Sequence, residues 1–210
     1  ALHDNDQGTP CFNYLRNERV LQAMVTSTLP SYSLRLVSAA ELEPWINAQL
    51  AVSERLRRGA QLVRLKVNGK CLTVRGGSLD DQARLQQWSC HPLSSHGVSK
   101  QHFLLDPAGD ASAPLIVSTL SGKCLDIPWG SSSPGQYVQQ SSCHGGPNQR
   151  FVFSTFPSFG PGQKLTPRSA PAGYCLGAEN RSSANGATIV QNGCQSGFTN
   201  NFERWFAAAL

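Results

Sequence analysis

Much that would announce a catalytic function is missing from this sequence. It has no Gly-x-Ser-x-Gly elbow, no glycine-rich phosphate loop, no His-Glu-x-x-His zinc helix and no close pair of acids in an obvious site. Cys-x2-Cys spacing, the usual zinc signature, is also absent, and His91, His96, His102 and His144 show no ligand spacing. The residues therefore offer no catalytic group, no metal site and no cofactor motif. Lys and Arg form no run interleaved with aromatics. The one cluster is Arg55, Arg57 and Arg58 beside Glu54, so a net charge of +5 is no argument for nucleic acid. No stretch approaches the ~20 apolar residues of a transmembrane segment. The polar start, Ala1 to Asp6, lacks the apolar core of a signal peptide, as a secreted chain with its signal removed, or a trimmed one, would.

Charge is scarce at 15%, while 19 Gly and 13 Pro punctuate the chain. That balance predicts a loop-rich, β-rich globular protein rather than a disordered one. At 210 residues the chain suits one domain with an extension.

Seven cysteines carry most of the information. Six fall into pairs 19 positions apart: Cys71/Cys90, Cys124/Cys143 and Cys175/Cys194. The first members are 53 and 51 residues apart, which makes this an internal repeat. An 18-residue gap suits a disulfide closing a loop, worth roughly 3 kcal/mol each in the chain-entropy model. Disulfides imply an oxidising compartment, the periplasm, the cell surface or the outside; the alternative is six buried thiols. Cys11 is left over, either for an intermolecular bridge or as a free thiol.

The three units align. Gly69-Lys70-Cys71-Leu72-Thr73, Gly122-Lys123-Cys124-Leu125-Asp126 and Gly173-Tyr174-Cys175-Leu176-Gly177 each read as a turn entering a strand. Leu85-Gln86-Gln87-Trp88-Ser89-Cys90, Val138-Gln139-Gln140-Ser141-Ser142-Cys143 and Ile189-Val190-Gln191-Asn192-Gly193-Cys194 read as second strands. Each unit closes on an aromatic: Phe103, Phe151 and Trp205. One unit cannot bury its own apolar face, whereas three can around a pseudo-threefold axis. The expected fold is all-β and closed, with the three aromatics in the core.

Gly-x-Cys-Leu-Asp, then Val-Gln, Cys and Asn-Gln-x-aromatic, resembles the ricin B-type lectin repeat over residues 61–210. The resemblance implies a β-trefoil with repeats at about 61–110, 111–160 and 161–210. The departures are two closing Phe residues where Trp is expected, and Glu203 in place of Gln. It also implies a sugar pocket in each repeat: an Asp two residues after the first Cys, an aromatic two before the second, and an Asn ahead of the closing Gln. A carboxylate gives strong hydrogen bonds to hydroxyls, and a ring face fits the C–H face of a hexose. The second repeat supplies Asp126, Gln139, Asn148 and Gln149, but Ser141 stands at the aromatic position and Trp129 is the candidate replacement. The first supplies Trp88 and Gln86, but Thr73 replaces the Asp and Lys100 the Asn. The third, with Gly177, Asn192 and Phe202, reads as structural. Gln101 and Gln149 are expected to bond buried backbone.

Residues 1–60 do not repeat the unit. Ser38-Ala39-Ala40-Glu41 fits a capping box. Pro44 fits the first turn of a helix over about 43–58, with Trp45, Ala48, Val52 and Leu56 on one face and Gly59 as its C-cap. This helix is expected to pack on the trefoil or on a partner. A weaker helical stretch is expected over Arg16–Met24. Arg55-Leu56-Arg57-Arg58 fits either a basic last helical turn or a furin-type cleavage motif. Together these readings predict a secreted, non-catalytic lectin module that recognises cell-surface glycans. The alternative is the receptor-binding or delivery subunit of a multi-chain toxin, meeting a catalytic partner through Cys11 or the N-terminal helix.

Overall fold

The computed structural model describes residues 24–25, 34–35, 39–92, 100–155, 162–194 and 202–210. Cys11 and His96 lie outside them, as does the stretch expected to be helical at 16–23. The chain divides into two compact units, Ala1–Ile46 and Asn47–Leu210. In the first, β1 (Met24–Val25) pairs antiparallel with β2 (Leu34–Arg35), so Met24 is extended rather than helical. Helix α1 (Ala39–Arg57) begins four residues before Glu43, which puts Pro44 inside it rather than in its first turn. No helix among the described residues is long and apolar enough to cross a membrane.

The second unit is a β-trefoil. Its first repeat holds β3 (Gln61–Val67), β4 (Lys70–Val74), β5 (Leu85–Trp88) and β6 (Phe103–Asp106). The second holds β7 (Leu115–Ser118), β8 (Cys124–Asp126), β9 (Gln136–Tyr137), β10 (Gln139–Ser141) and β11 (Phe151–Thr155). The third holds β12 (Gln163–Pro167), β13 (Tyr174–Ala178), β14 (Ile189–Gly193) and β15 (Trp205–Ala209). The outer strands of each repeat close a barrel: β3 pairs with β6 and β15, β6 with β7, and β12 with β11 and β15. A bridge from Leu115 to Arg150 joins β7 to the start of β11. The inner strands form three hairpins, β4–β5, β8–β10 and β13–β14. Disulfides tie Cys71 to Cys90, Cys124 to Cys143 and Cys175 to Cys194.

The core follows the repeat. Leu72, Leu125 and Leu176, each next to a first cysteine, are buried together with Leu85, Val138 and Ile189. Phe103, Phe151 and Trp205 join the same cluster and are fully buried. Trp205 also donates its Nε1–H to the Leu176 carbonyl at 2.9 Å, so the one indole in this layer is satisfied.

The hairpins are locked together by a ring of glutamines, each three residues before its second cysteine. Gln87 Nε2 of the first repeat donates to the Ser182 and Ala184 carbonyls of the third (2.7 and 2.9 Å). Gln191 of the third reaches Ser131 and Ser133 of the second (2.6 and 3.0 Å). Gln140 of the second reaches Ser78 and Asp80 of the first (2.9 and 2.8 Å). The ring closes, and all three side chains are fully buried. Asp81 reinforces one junction: its carboxylate accepts from Lys123 Nζ (2.9 Å) and the Ser142 N–H (2.7 Å). Those bonds, Lys123 foremost, hold its pKa below the ordinary carboxylate value.

Within the second unit, the end of α1 covers the outside of the barrel. Val52 packs in a cluster with Leu104, Leu115 and Val117, strand residues that would otherwise face water. Gln49 Nε2 donates to the Thr119 carbonyl at 3.1 Å, and Arg55 pairs with Asp106. Gly122 is required at this seat, because a Cβ there would stand 3.2 Å from the Ala48 Cα and its φ is +68°. The basic stretch Arg55–Arg58 is thus the helix's last turn and the residue after it.

Replacing Gln87, Gln140 or Gln191 by Ala removes a donor shared by two carbonyls. Each variant is expected to lose about 2 kcal/mol in urea unfolding, by similar amounts in all three repeats. A loss below ~0.5 kcal/mol in any of them would show that the ring is not a shared constraint.

Candidate carbohydrate site

The pseudo-threefold gives three copies of one local backbone. After the strand that carries the first cysteine, a short 3-10 turn follows at Arg75–Gly77, Pro128–Gly130 and Glu179–Arg181. The residue before each turn donates its N–H to the segment ahead of the closing residue: Val74 to Lys100, Ile127 to Asn148 and Ala178 to Phe202. Side chains at matching positions can therefore be compared directly.

In the second repeat the expected residues converge. Asp126, on β8, is buried and opposite Gln139 on β10. Its Oδ1 accepts from Gln139 Nε2 at 2.9 Å, and its Oδ2 from Asn148 Nδ2 at 2.8 Å and Gln149 Nε2 at 3.1 Å. The carboxylate is the hub of a side-chain network, not the cap of a turn. Gln149 also donates to the Ser142 carbonyl (3.0 Å) and accepts from the His144 and Gly145 N–H groups (2.8 and 3.1 Å). Its amide is thus used within the fold. Oδ1 carries a single donor, and a carboxylate oxygen accepts two. That leaves one acceptor position on Oδ1 unfilled among the described residues.

Sequence reasoning missed His144. Its Nε2 lies 3.6 Å from Asp126 Oδ2, while Nδ1 accepts from the Gly146 N–H at 3.1 Å. Its position just after Cys143 was the available signal.

Trp129 shares none of Asp126's hydrogen bonds. It stands on the 3-10 turn next to the pocket, whose Gly130 lies beside Asn148, and the residue is 89% exposed. Its φ is +55°, in the left-handed region. The matching residues are Gly76 and Asn180, with φ of 66° and 53°. Gly and Asn are the residues that adopt this conformation cheaply, whereas a bulky aromatic does so at a cost. An exposed tryptophan gains little burial to offset that strain, so packing does not account for its placement.

The first repeat is built differently. Thr73, at the Asp position, is buried; its hydroxyl donates to the Cys71 carbonyl (3.0 Å) and accepts from Gln101 Nε2 (3.1 Å). Gln101 further accepts from the His91 N–H and donates to the Ser89 carbonyl, both at 2.9 Å. Gln86 turns its oxygen to Arg75 Nε at 3.1 Å. Trp88, opposite Cys71, is 38% exposed.

The third repeat is closed. A Cβ on Gly177 would stand 2.8 Å from the Phe202 carbonyl oxygen and 3.0 Å from Glu203 Cγ, so no Asp fits at that position without backbone movement. Asn192 is committed to the second repeat, where its Oδ1 accepts from the Gly135 N–H at 2.8 Å. Among the described residues no group of His, Cys, Asp or Glu could hold a metal ion.

Residues 99–192 match the family model of the ricin-type β-trefoil lectin domain-like group. No curated protein matches the chain. Among solved structures it is similar to ThreeFoil, a designed protein of threefold symmetry: 30% identity, 71% of this chain, 99% of that one and a TM-score of 0.61. It is similar to the C-terminal half of an earthworm R-type lectin in complex with GalNAc: 14% identity, 71% and 99% coverage, TM-score 0.52. It is also similar to a chain of the Haemophilus ducreyi cytolethal distending toxin: 16% identity, 88% and 93% coverage, TM-score 0.54. That last coverage is more than residues 47–210 alone can supply.

Substituting Trp129→Asn, the residue of the third repeat, is expected to stabilise the protein by about 0.5–1 kcal/mol by relieving the left-handed strain. Chemical denaturation measures this. A loss of stability would mean that the indole packs rather than projects.

Proposed function

Because the chain belongs to the ricin-type β-trefoil lectin domain-like family, we propose that it is a secreted, non-catalytic module that binds cell-surface glycans through the pocket of its second repeat. One observation carries this reading. A buried carboxylate, Asp126, is fixed by three amide donors beside an exposed tryptophan held in a costly backbone conformation. Asp126 accepts a sugar hydroxyl at Oδ1, Asn148 and Gln139 fix the carboxylate's orientation, and Trp129 offers a ring face to the sugar's C–H surface. The site needs no cofactor. The three disulfides support an oxidising compartment, and with it secretion.

On a glycan array the protein is expected to show binding that Asp126→Ala abolishes and Trp129→Asn reduces at least tenfold. The second variant is the cleaner, because Asp126→Ala also leaves three amide donors without their acceptor. An absence of binding to any glycan would refute the reading. So would binding unaffected by both substitutions.

A second reading makes the chain the receptor-binding or delivery subunit of a multi-chain toxin. The observation in its favour is the similarity to the distending-toxin chain, which extends beyond the trefoil. A catalytic partner would then be held by Cys11 or the helix that begins at Ala39. Purification from the native source is expected to bring down a second chain, released by reductant if Cys11 is the link. Recovery of a lone monomer would count decisively against it.

A further inference from the structure

We propose that the first repeat carries a second binding site, selective for an acidic saccharide, with Arg75 as the anion ligand and Trp88 as the sugar platform. This rests on the reading that the fold binds carbohydrate, and it adds the chemical class of a ligand that the second repeat would not prefer.

The two pockets have the same backbone and opposite charge. Where the second repeat has Asp126, the first has neutral Thr73, its hydroxyl already used by Gln101 and the Cys71 carbonyl. Where the second has Pro128, the first has Arg75, and where it has Asn148, the first has Lys100. No acidic side chain pairs with Arg75 or Lys100 among the described residues. The pocket has exchanged a carboxylate for two cations.

Arg75 is held in place by neutral acceptors. Its Nε donates to Gln86 Oε1 (3.1 Å), and one terminal nitrogen, Nη2, to the Gly186 carbonyl (3.3 Å) and Thr188 Oγ1 (3.2 Å). The other, Nη1, has no partner among the described residues. A guanidinium fixed in this way presents preorganised donors to an anion and loses little further freedom on binding. None of its three acceptors is charged, so the cation keeps its full attraction for a ligand. Gln139, the counterpart of Gln86, instead donates to Asp126. The same amide position thus serves an arginine in one repeat and a carboxylate in the other.

Trp88 completes the site. It and Gln86 project from the same face of β5, opposite Cys71 and Thr73. A Cβ on Gly186 would stand 3.6 Å from the Trp88 ring, and the Gly186 carbonyl is the one that anchors Arg75. Ring and guanidinium therefore border one small turn of the third repeat. Lys100 runs its stem past Gly77, on the 3-10 turn that begins with Arg75. A hexose lying on Trp88 would direct a carboxylate or sulfate substituent toward Arg75. Both substituents share the chemistry of a compact anion that accepts from a guanidinium.

The test is calorimetric titration of the full chain with three probes: lactose, 3′-sialyllactose for the carboxylate and 3′-sulfolactose for the sulfate. At least one acidic probe is expected to bind about tenfold more tightly than lactose. Arg75→Gln and Trp88→Ala should each remove that preference, and Arg75→Lys should keep part of it. Trp88→Ala leaves the three bonds of Arg75 in place, so the idea stays testable if Arg75→Gln unfolds the protein. Arg181→Gln, at an exposed cation elsewhere, should keep the preference, which separates the site from the chain's overall positive charge. Equal binding of all three probes would overturn the inference. So would a preference that survives Arg75→Gln or Trp88→Ala, or one abolished by Trp129→Asn alone. Binding of lactose without either acidic probe would refute this site and leave the second-repeat pocket standing. Failure of all three probes to bind would count against both.

Discussion

The hydrogen bonds of Gln87, Gln140 and Gln191 are the constraint on which the rest of the second unit depends. Each buried amide donates to two carbonyls of a neighbouring repeat's loop, in a closed cycle. The loop that follows each pocket is therefore held from outside its own repeat. Trp129's turn runs into Ser131–Ser133, and those carbonyls are bound by Gln191 of the third repeat. The third repeat has no pocket of its own, since Gly177 faces the Phe202 carbonyl. It nevertheless fixes the loop that follows Trp129 in the repeat next door.

This division of labour sets which positions are free to vary. Core leucines, closing aromatics and disulfides serve the barrel and the hairpins, and all three copies need them. Positions 73, 126 and 177 lie next to that skeleton. They have become a hydroxyl bonded internally, a carboxylate hub and an absent side chain. The three backbones match even so, because in each copy the loop that follows is held by a glutamine of a neighbouring repeat. A threefold frame of this kind holds unlike side chains at matching positions of its copies.

Much of the fold was legible in the sequence, because equal cysteine spacing is a strong and local signal. The three disulfides and the buried aromatics Phe103, Phe151 and Trp205 follow from aligning the copies, whereas the grouping of Asp126 with Gln139, Asn148 and Gln149 comes from the resemblance to the ricin B-type repeat. The helix start was less legible: Pro44 suggested a first turn near Glu43, yet the helix tolerates it inside. The glutamine ring lay in plain view three residues before each second cysteine. Its meaning was hidden because the partners are backbone carbonyls of another repeat, and no residue type marks a carbonyl. Arg75 escaped attention for a related reason. Its importance depends on what surrounds it rather than on a motif.

Asp126 and Trp129 illustrate two ways in which residues of the proposed site relate to stability. Asp126 is buried and makes three bonds, so the pocket's carboxylate also holds its repeat together. Selection for folding alone could keep it. Trp129 contributes the reverse: the residue is 89% exposed, and its left-handed backbone costs energy that Gly76 and Asn180 avoid at the same turn. No folding argument favours tryptophan there, whereas a ligand that stacks on an indole does. Of the two residues, the one that the fold would be better without therefore gives the proposed glycan site its stronger support.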